Sequence, residues 1–400
     1  MGHPELNSIE QENFKPRIIS ENNPLSASSI NAGSNVDNIM KKITSDFLYQ
    51  KCISGELFCI ETGGTFSAAV GENGKTPFHQ LKSIIEKYIP SIQDLLKLRF
   101  PAPGTSEHFG ELIDSTNVQP EDWIRLAKII HKKINEDDTN GIVVTCGTDT
   151  MAYAASALSL ILENPTKAIV LTGSQRTISE KKSDALINFV EASYAAQMLP
   201  AGVYIVFRHR IIKGINAVKV DSRSLDAFRS VGGADVGRID LKKKRFLVNM
   251  LALETQTSKV RADFLMHDKF DNAIKVETII PGYEPRQLEK VLSDSDIHGV
   301  IIQGFGLGGI PTKGKRSLLR ILKEYASKKP IVLATQVLNG GTNLDEYEVS
   351  VLAKQAGVLS ANYLTLETAS FALKLLLGQK LSLEELKNKW NQINLSKIEV

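Results

Sequence analysis

Threonine residues directly follow two short apolar runs of this 400-residue chain. The turn Thr62-Gly63-Gly64-Thr65 comes after the run 57–60, and a second turn, which contains Thr148 and Asp149, comes after the run 141–144. A threonine hydroxyl becomes a nucleophile when a neighbouring group accepts its proton, and backbone amides of a glycine turn can stabilise an oxyanion. A lysine can accept that proton if burial or nearby positive charge lowers its pKa from about 10.4. Two such turns and one lysine suffice for a site that hydrolyses amides.

Each of these turns also fits a purely structural role. The Gly-Gly pair is typical of a chain reversal after a strand, and Asp149 or Thr150 is suited to capping a helix that follows. The first turn is not a phosphate-binding loop, because the Gly-Lys-Ser/Thr ending is absent. The glycines at 304–309 resemble a dinucleotide-binding fingerprint only superficially, since Pro311 follows without a clear helix start.

The elements that must position these turns alternate between short apolar runs and amphipathic stretches. The predicted strands are 57–60, 141–145, 168–172, 203–207, 274–280, 299–303 and 331–334. The predicted helices are 122–135, 150–163, 183–198, 285–293, 315–327 and 348–356. This alternation predicts an α/β fold with mostly parallel sheets, because each parallel connection needs a helix-length crossover. Ligands bind at the carboxyl ends of such strands, and that is where both threonine turns lie.

Changes in composition divide the chain. Residues 1–45 are rich in Asn, Ser and Glu and predict a polar, flexible extension. A larger N-terminal α/β domain is expected over 55–250 and a smaller C-terminal α/β domain over 273–400. A charged, irregular linker at about 240–272 joins them.

Charge and cysteine content exclude several classes of protein. A formal net charge of +3 gives no electrostatic basis for binding nucleic acid or an acidic membrane. The longest apolar run, 151–162, is too short for a membrane span of about 20 residues. Three cysteines without metal-ligand spacing argue against a disulfide framework or a zinc site. We therefore expect a soluble protein of the reducing cytoplasm.

The order of the segments resembles that of the bacterial-type L-asparaginases. The segments ETGGTFSA (61–68) and VVTCGTDTMAYAASAL (143–158) are similar to the two signatures of that family, TGGTI and HGTDT. The likeness continues through 113–123, 170–176, 183–192, 215–228 and 299–311, and covers about residues 55–400. With Asp114 before Ser115 and Thr116 after it, the segment at 113–123 looks more like the cytoplasmic type I members than the secreted ones.

The resemblance implies a role for individual residues of this chain. Thr65 matches the family nucleophile, Thr148 the second active-site threonine, Lys219 the lysine paired with it, and Asp149 the acid. The residues expected to bind substrate are Ser115, Thr116, Gly64, Asp149 and Ser174, the last through its backbone carbonyl. A competing assignment within the same site makes Thr148 the first nucleophile.

The activity that the resemblance implies is hydrolysis of L-asparagine to L-aspartate and ammonia through a threonine acyl-enzyme. It needs no metal or organic cofactor, and the family implies a homodimer or homotetramer. Discrimination between asparagine and glutamine cannot be predicted, because one methylene changes binding by only about 1–3 kcal/mol. Two alternatives stay open. One is an asparaginase-like subunit of a glutamyl-tRNA amidotransferase that releases ammonia from glutamine, and the other is an amino-acid-binding module without turnover.

Two departures from the family pattern affect the expected site. Cys146 stands where many members have histidine, and a buried, neutral thiol is expected there. The lid region 67–79 lacks the tyrosine that members often carry, which leaves Lys75, Thr76 and His79 as its polar candidates. The group that accepts the proton of Thr65 is therefore not predicted.

Overall fold

The computed structural model describes residues 56–71, 74–77, 81–88, 97–136, 139–178, 180, 182–240, 245–249, 252–253 and 263–395. The extension predicted for residues 1–45, the histidine at position 79 and much of the predicted linker lie outside these ranges. The chain divides into two compact units. The larger unit runs to Arg229 and includes Ala234–Met266, and the smaller unit comprises Ser230–Gly233 and the chain from His267 onward.

The described strands up to Met266 are β1 Glu56–Glu61, β2 Ala68–Gly71, β3 Gly74–Pro77, β4 Leu98–Arg99, β5 Thr139–Thr145, β6 Leu162–Glu163, β7 Ala168–Thr172, β8 Gly202–Phe207, β9 Arg210–Lys213, β10 Ala217–Lys219, β11 Phe228–Ser230, β12 Gly237–Asp240, β13 Arg245–Val248 and β14 Leu265–Met266. The described helices in the same part are α1 Leu81–Tyr88, α2 Pro120–Asn135, α3 Met151–Ile161 and α4 Ala185–Met198.

An eight-stranded sheet organises the larger unit, in the order β13-β12-β9-β8-β7-β5-β1-β4. Strands β4, β1, β5, β7 and β8 pair in parallel, whereas β9, β12 and β13 extend the sheet antiparallel from β8. The chain leaves β1 toward β4 on one side and then returns to β5 on the other. The connections therefore diverge between β1 and β5, and a ligand crevice is expected where connections diverge at the carboxyl ends of parallel strands.

The two helices closest to this crevice are buried on nearly all sides. Helix α3 is made almost entirely of alanine, serine, leucine and methionine, and nine of its eleven residues are buried. Helix α4 packs so closely on β5 that a methyl group added at Gly141 would lie 2.3 Å from the carbonyl oxygen of Ala196. Small residues on β5 and α4 allow this close approach.

The smaller unit is built on a four-stranded parallel sheet in the order β15-β16-β17-β18. Its strands are β15 Ile274–Thr278, β16 Gly299–Gly304, β17 Ile331–Thr335 and β18 Leu359–Ser360. Its helices are α5 Pro285–Ser293, α6 Leu319–Tyr325, α7 Glu348–Gln355, α8 Leu366–Gly378 and α9 Leu383–Leu395. None of the described helices of either unit is long and apolar enough to span a membrane.

The α/β fold with mostly parallel sheets is confirmed, and each predicted strand corresponds to a strand of the structure. The predicted helix over 150–163 is wrong at its carboxyl end, because Leu162–Glu163 forms β6 and pairs with β14. The helix predicted over 315–327 begins at Leu319, since a 3-10 turn occupies Gly314–Arg316.

Candidate active site

Three neighbouring strands of the larger unit end at the same level. Glu61 of β1 lies opposite Thr145 of β5, which in turn lies opposite Thr172 of β7. Hydrogen bonds continue the pairing past the strand ends. The amide and hydroxyl of Thr62 donate to the Thr145 carbonyl at 2.9 and 3.1 Å, and the Cys146 amide donates to the Thr172 carbonyl at 2.9 Å. The turns that follow these strands therefore start side by side.

The first two turns touch through their glycines. A methyl group added at Gly64, whose φ is 89°, would lie 2.3 Å from Cα and 2.4 Å from the amide nitrogen of Gly147. A methyl group added at Gly147 would lie 2.4 Å from the hydroxyl oxygen of Ser115. Thr65 and Thr148 each follow one of the two contacting glycines. The structure thus brings three predicted residues, Thr65, Thr148 and Ser115, around one point.

Ser115 begins a single 3-10 turn that is braced from both sides. The side chain of Asp114 accepts hydrogen bonds from the amide and the hydroxyl of Thr116, at 2.9 and 2.6 Å. These bonds, the one from the hydroxyl first, hold the pKa of Asp114 below its usual range. The carbonyl of Ser115 accepts a hydrogen bond of 2.9 Å from the Thr150 hydroxyl. Thr116 therefore supports the turn through Asp114, while Ser115 is the buried member beside Gly147.

Lys219 reaches the second turn from the end of β10. Its Nζ lies 2.9 Å from Oγ1 of Thr148 and 2.6 Å from Oδ1 of Asp149. The lysine side chain is 15% exposed, whereas the Asp149 side chain is 58% exposed. An amine that donates to a hydroxyl polarises it, and the carboxylate of Asp149 lies beside the same amine. The outer face of Asp149 is left open to solvent, where a cationic group of a ligand can approach it.

The structural alternative for Thr150 and Asp149 is wrong. Thr150 occupies the N-cap position of α3, but its side chain makes no capping hydrogen bond to that helix. The Thr150 hydroxyl donates to Ser115 instead, and the carboxylate of Asp149 is turned toward Lys219. Tertiary partners thus take both side chains away from the local capping that the spacing favours.

Ser174 and Gln175 lie in the turn after β7. The Ser174 hydroxyl donates to the Arg176 carbonyl at 2.6 Å, so its side chain is engaged within the turn. Gln175 was not predicted from the sequence, yet its Oε1 accepts a hydrogen bond of 3.5 Å from the Thr148 hydroxyl. Its only sequence signal is a long polar side chain at a strand end, next to Ser174, and that signal is weak.

The thiol of Cys146 is buried as expected, and so is that of Cys59. Burial raises the pKa of Cys146 to about 12 and that of Cys59 further, so both are neutral near pH 7. Among the residues that the structure describes, no group of three or more His, Cys, Asp or Glu side chains could hold a metal ion. The groups that meet in the site are hydroxyls, the Lys219 amine, the Asp149 carboxylate and backbone amides.

Protein-family models match both parts of the chain. The model described as "Asparaginase, N-terminal" matches residues 56–250, and the model described as "Glutaminase/Asparaginase C-terminal domain" matches residues 273–389.

Individual relatives extend over most of the chain. The L-asparaginase of Thermococcus kodakarensis is 34% identical over 340 residues, which are 83% of this chain and 95% of that protein. Its solved structure superimposes with a TM-score of 0.70 and covers 84% of this chain and 96% of that one. L-asparaginase 1 of Escherichia coli (strain K12) is 30% identical, and the match covers 84% of this chain and 96% of that protein. A subunit of the glutamyl-tRNA(Gln) amidotransferase of Saccharolobus solfataricus is 32% identical, but the match covers only 74% of that protein.

The contact between the two glycine turns can be tested with Gly64→Ala. We expect the substitution to lower the free energy of unfolding, measured by urea denaturation, by about 3 kcal/mol or more. The new methyl group would clash with backbone atoms, and the φ of this position is unfavourable for any residue with a side chain. Gly104 is a matched control, since its φ is 80° and a methyl group there would meet none of the described atoms within 4 Å. Gly104→Ala should lower the free energy of unfolding by only about 1 kcal/mol. Equal losses in the two variants would contradict the contact.

The burial of the two thiols predicts slow modification. In a Cys52→Ser variant, Ellman's reagent at pH 8 should leave both remaining thiols unmodified in the native protein and react with both in denaturant. At that pH roughly one molecule in 10,000 carries a Cys146 thiolate, because the pKa is raised to about 12. Rapid reaction of either thiol in the native protein would show that the region behind the second turn is open.

Proposed function

This chain belongs to the asparaginase family and is an amidohydrolase, and we propose that it hydrolyses L-asparagine to L-aspartate and ammonia. The substrate is a small molecule. Nearly the whole length of the L-asparaginase relatives is matched, whereas about a quarter of the amidotransferase relative is not. This difference favours the free amidohydrolase over the tRNA-linked subunit.

One observation carries the proposal. Lys219 Nζ contacts both the Thr148 hydroxyl and the Asp149 carboxylate, directly beside the point where Gly64 meets Gly147. An amine, two hydroxyls and the backbone amides of two turns are then within reach of one bound amino acid. A binding module without turnover has no need for a lysine that polarises a buried threonine.

We assign each predicted residue a role on this basis, and Thr116 supports the turn of Ser115 through Asp114. Thr65 is the nucleophile, and Thr148 with Lys219 activates water. The exposed carboxylate of Asp149 receives the α-ammonium group of the substrate, and Ser115 receives its α-carboxylate. The amides near Gly64 and Thr148 stabilise the oxyanion. Ser174 offers its carbonyl to the amide nitrogen, since its hydroxyl is engaged within the turn.

The proposed reaction has two steps. In the first, Oγ1 of Thr65 bonds to the side-chain carbonyl carbon, the carbon–nitrogen bond breaks, and the nitrogen leaves as ammonia with the hydroxyl proton. In the second, water adds to the ester carbonyl, the bond to Thr65 breaks, and Thr65 regains a proton as aspartate leaves. Splitting one difficult displacement into two is the advantage of covalent catalysis.

The assignment predicts the effect of two substitutions. Thr65→Ala and Lys219→Ala should each lower kcat for ammonia release from asparagine by at least about 1,000-fold, because each removes a group that acts in the transition state. Ammonia release from glutamine, measured in parallel, should be slower in the wild type, because the chain is similar to L-asparaginases over most of its length. Thr105→Ala and Lys323→Ala are matched controls on exposed positions and should keep wild-type rates. Full activity of Thr65→Ala, or an aspartyl adduct found on Thr148, would refute the nucleophile assignment.

We also propose a cytoplasmic homodimer or homotetramer, which rests on the likeness to type I L-asparaginases. Two buried, unpaired thiols fit a reducing compartment. Light scattering of the purified protein should give a mass of about two or four chains, and a monomer at micromolar concentration would contradict this proposal.

A further inference from the structure

The side chain of Gln175 connects the second threonine turn to the turn that follows Lys219. Its Nε2 donates to the carbonyls of Asp221 and Ser224, at 3.4 and 3.1 Å. Both carbonyls can only accept hydrogen bonds, so the NH₂ group of the amide must face them. The amide oxygen then faces the other way, toward the hydroxyl of Thr148 at 3.5 Å. The orientation of the amide is thus decided by its partners.

This orientation offers the Thr148 proton an acceptor. Lys219 Nζ donates a hydrogen bond to Oγ1 of Thr148 and thereby occupies one lone pair of that oxygen. The hydroxyl proton of Thr148 must then point in another direction. Oε1 of Gln175 lies 3.5 Å from Oγ1 of Thr148 and is an acceptor for that proton. When the Thr148 hydroxyl donates to Gln175 and accepts a hydrogen bond from Lys219, its oxygen still has a second lone pair. That lone pair can accept a hydrogen bond from a water molecule.

The same side chain holds the segment that follows Lys219. Oδ1 of Asp221 accepts hydrogen bonds of 2.7 Å from the amides of Arg223 and Ser224, which makes a tight turn. The Val220 amide donates to the Ala227 carbonyl and closes the hairpin between β10 and β11. Because Gln175 binds two carbonyls of this turn, it limits the movement of the backbone next to Lys219.

Gln175 is itself held by a buried pair on α4. The carboxylate of Asp184, which is 1% exposed, accepts hydrogen bonds of 3.1 Å from the amides of Gln175 and Arg176. Nδ2 of Asn188 donates to the same carboxylate at 3.0 Å and to the Gly173 carbonyl at 2.9 Å. These bonds hold the backbone of the turn from which the Gln175 side chain extends.

We infer that Gln175 is a positioning residue for the second step, in which it directs the Thr148 proton away from the attacking water and keeps Lys219 against Thr148. This inference rests on the proposed function. In that step water donates a hydrogen bond to the Thr148 oxygen and adds to the ester carbonyl carbon. The bond between that carbon and Oγ1 of Thr65 breaks, and the water proton passes to Thr65. Gln175 does not contact the reacting atoms and acts through Thr148 and Lys219.

The test is Gln175→Met, which keeps the length of the side chain and removes both polar groups. We expect kcat for asparagine to fall about 10-fold to 100-fold, as for a catalytic group that is slightly misplaced. Because only the second step is slowed, KM should fall with kcat, and kcat/KM should stay within about threefold of the wild-type value. Rapid mixing should show a burst of ammonia equal to the enzyme concentration, and mass spectrometry should find aspartate bound to Thr65.

Two further variants separate this role from a loss of folding. Gln355→Met, on an exposed position of α7, should keep wild-type kinetics. Gln175→Glu places a carboxylate oxygen against two carbonyl oxygens and should show the same burst as Gln175→Met. Unchanged kinetics, or a fall in kcat/KM without a burst, would overturn the inference while leaving the proposed function intact. Wild-type protein that releases no ammonia would overturn the proposed function itself, and this inference with it.

Discussion

The contact between Gly64 and Gly147 is the constraint on which the site depends. A side chain on either glycine would meet backbone or Ser115 atoms, so the two turns can approach this closely only without Cβ atoms. The contact also requires that β1 and β5 be neighbours and end at the same level, as their pairing from Ile60–Val144 to Glu61–Thr145 ensures. Because the two threonines follow the two glycines, this contact brings the backbones of Thr65 and Thr148 close together. Packing of backbone on backbone is stiff, and a site built on it is preorganised.

Hydrogen bonds position the remaining side chains of the site. Lys219 lies on a separate strand and is drawn to the site by Thr148 and Asp149. Gln175 joins the same hydroxyl to the turn after Lys219, and Asp184 with Asn188 secures Gln175 from α4. Each donor in this network has an acceptor among the described residues, which is the condition under which buried polar groups support a structure. The site therefore extends from an exposed carboxylate, Asp149, to the largely buried helix α4.

Parts of the fold were predictable because their signals are local. The parallel strands β7 and β8 are buried along their whole length and read as continuous apolar runs. The strands β9 and β12 were not predicted, since they are short and carry arginine or lysine among their apolar residues. The end of α3 was misplaced for a different reason, because the pairing of Leu162–Glu163 with β14 joins segments about a hundred residues apart.

The sequence by itself determined which residue types follow which strands, and so it supplied the two threonine turns, the serine turn and the likeness to the asparaginase family. It also determined the α/β class, because apolar runs and amphipathic stretches alternate over local distances. The family resemblance already implied that Lys219 pairs with Thr148, 71 residues away, whereas only the tertiary structure showed that Gln175 faces the same hydroxyl across 27 residues. The physical reason is that spacing along the chain does not specify which strands become neighbours. Pairing and crossover direction do so, and they depend on contacts between distant segments.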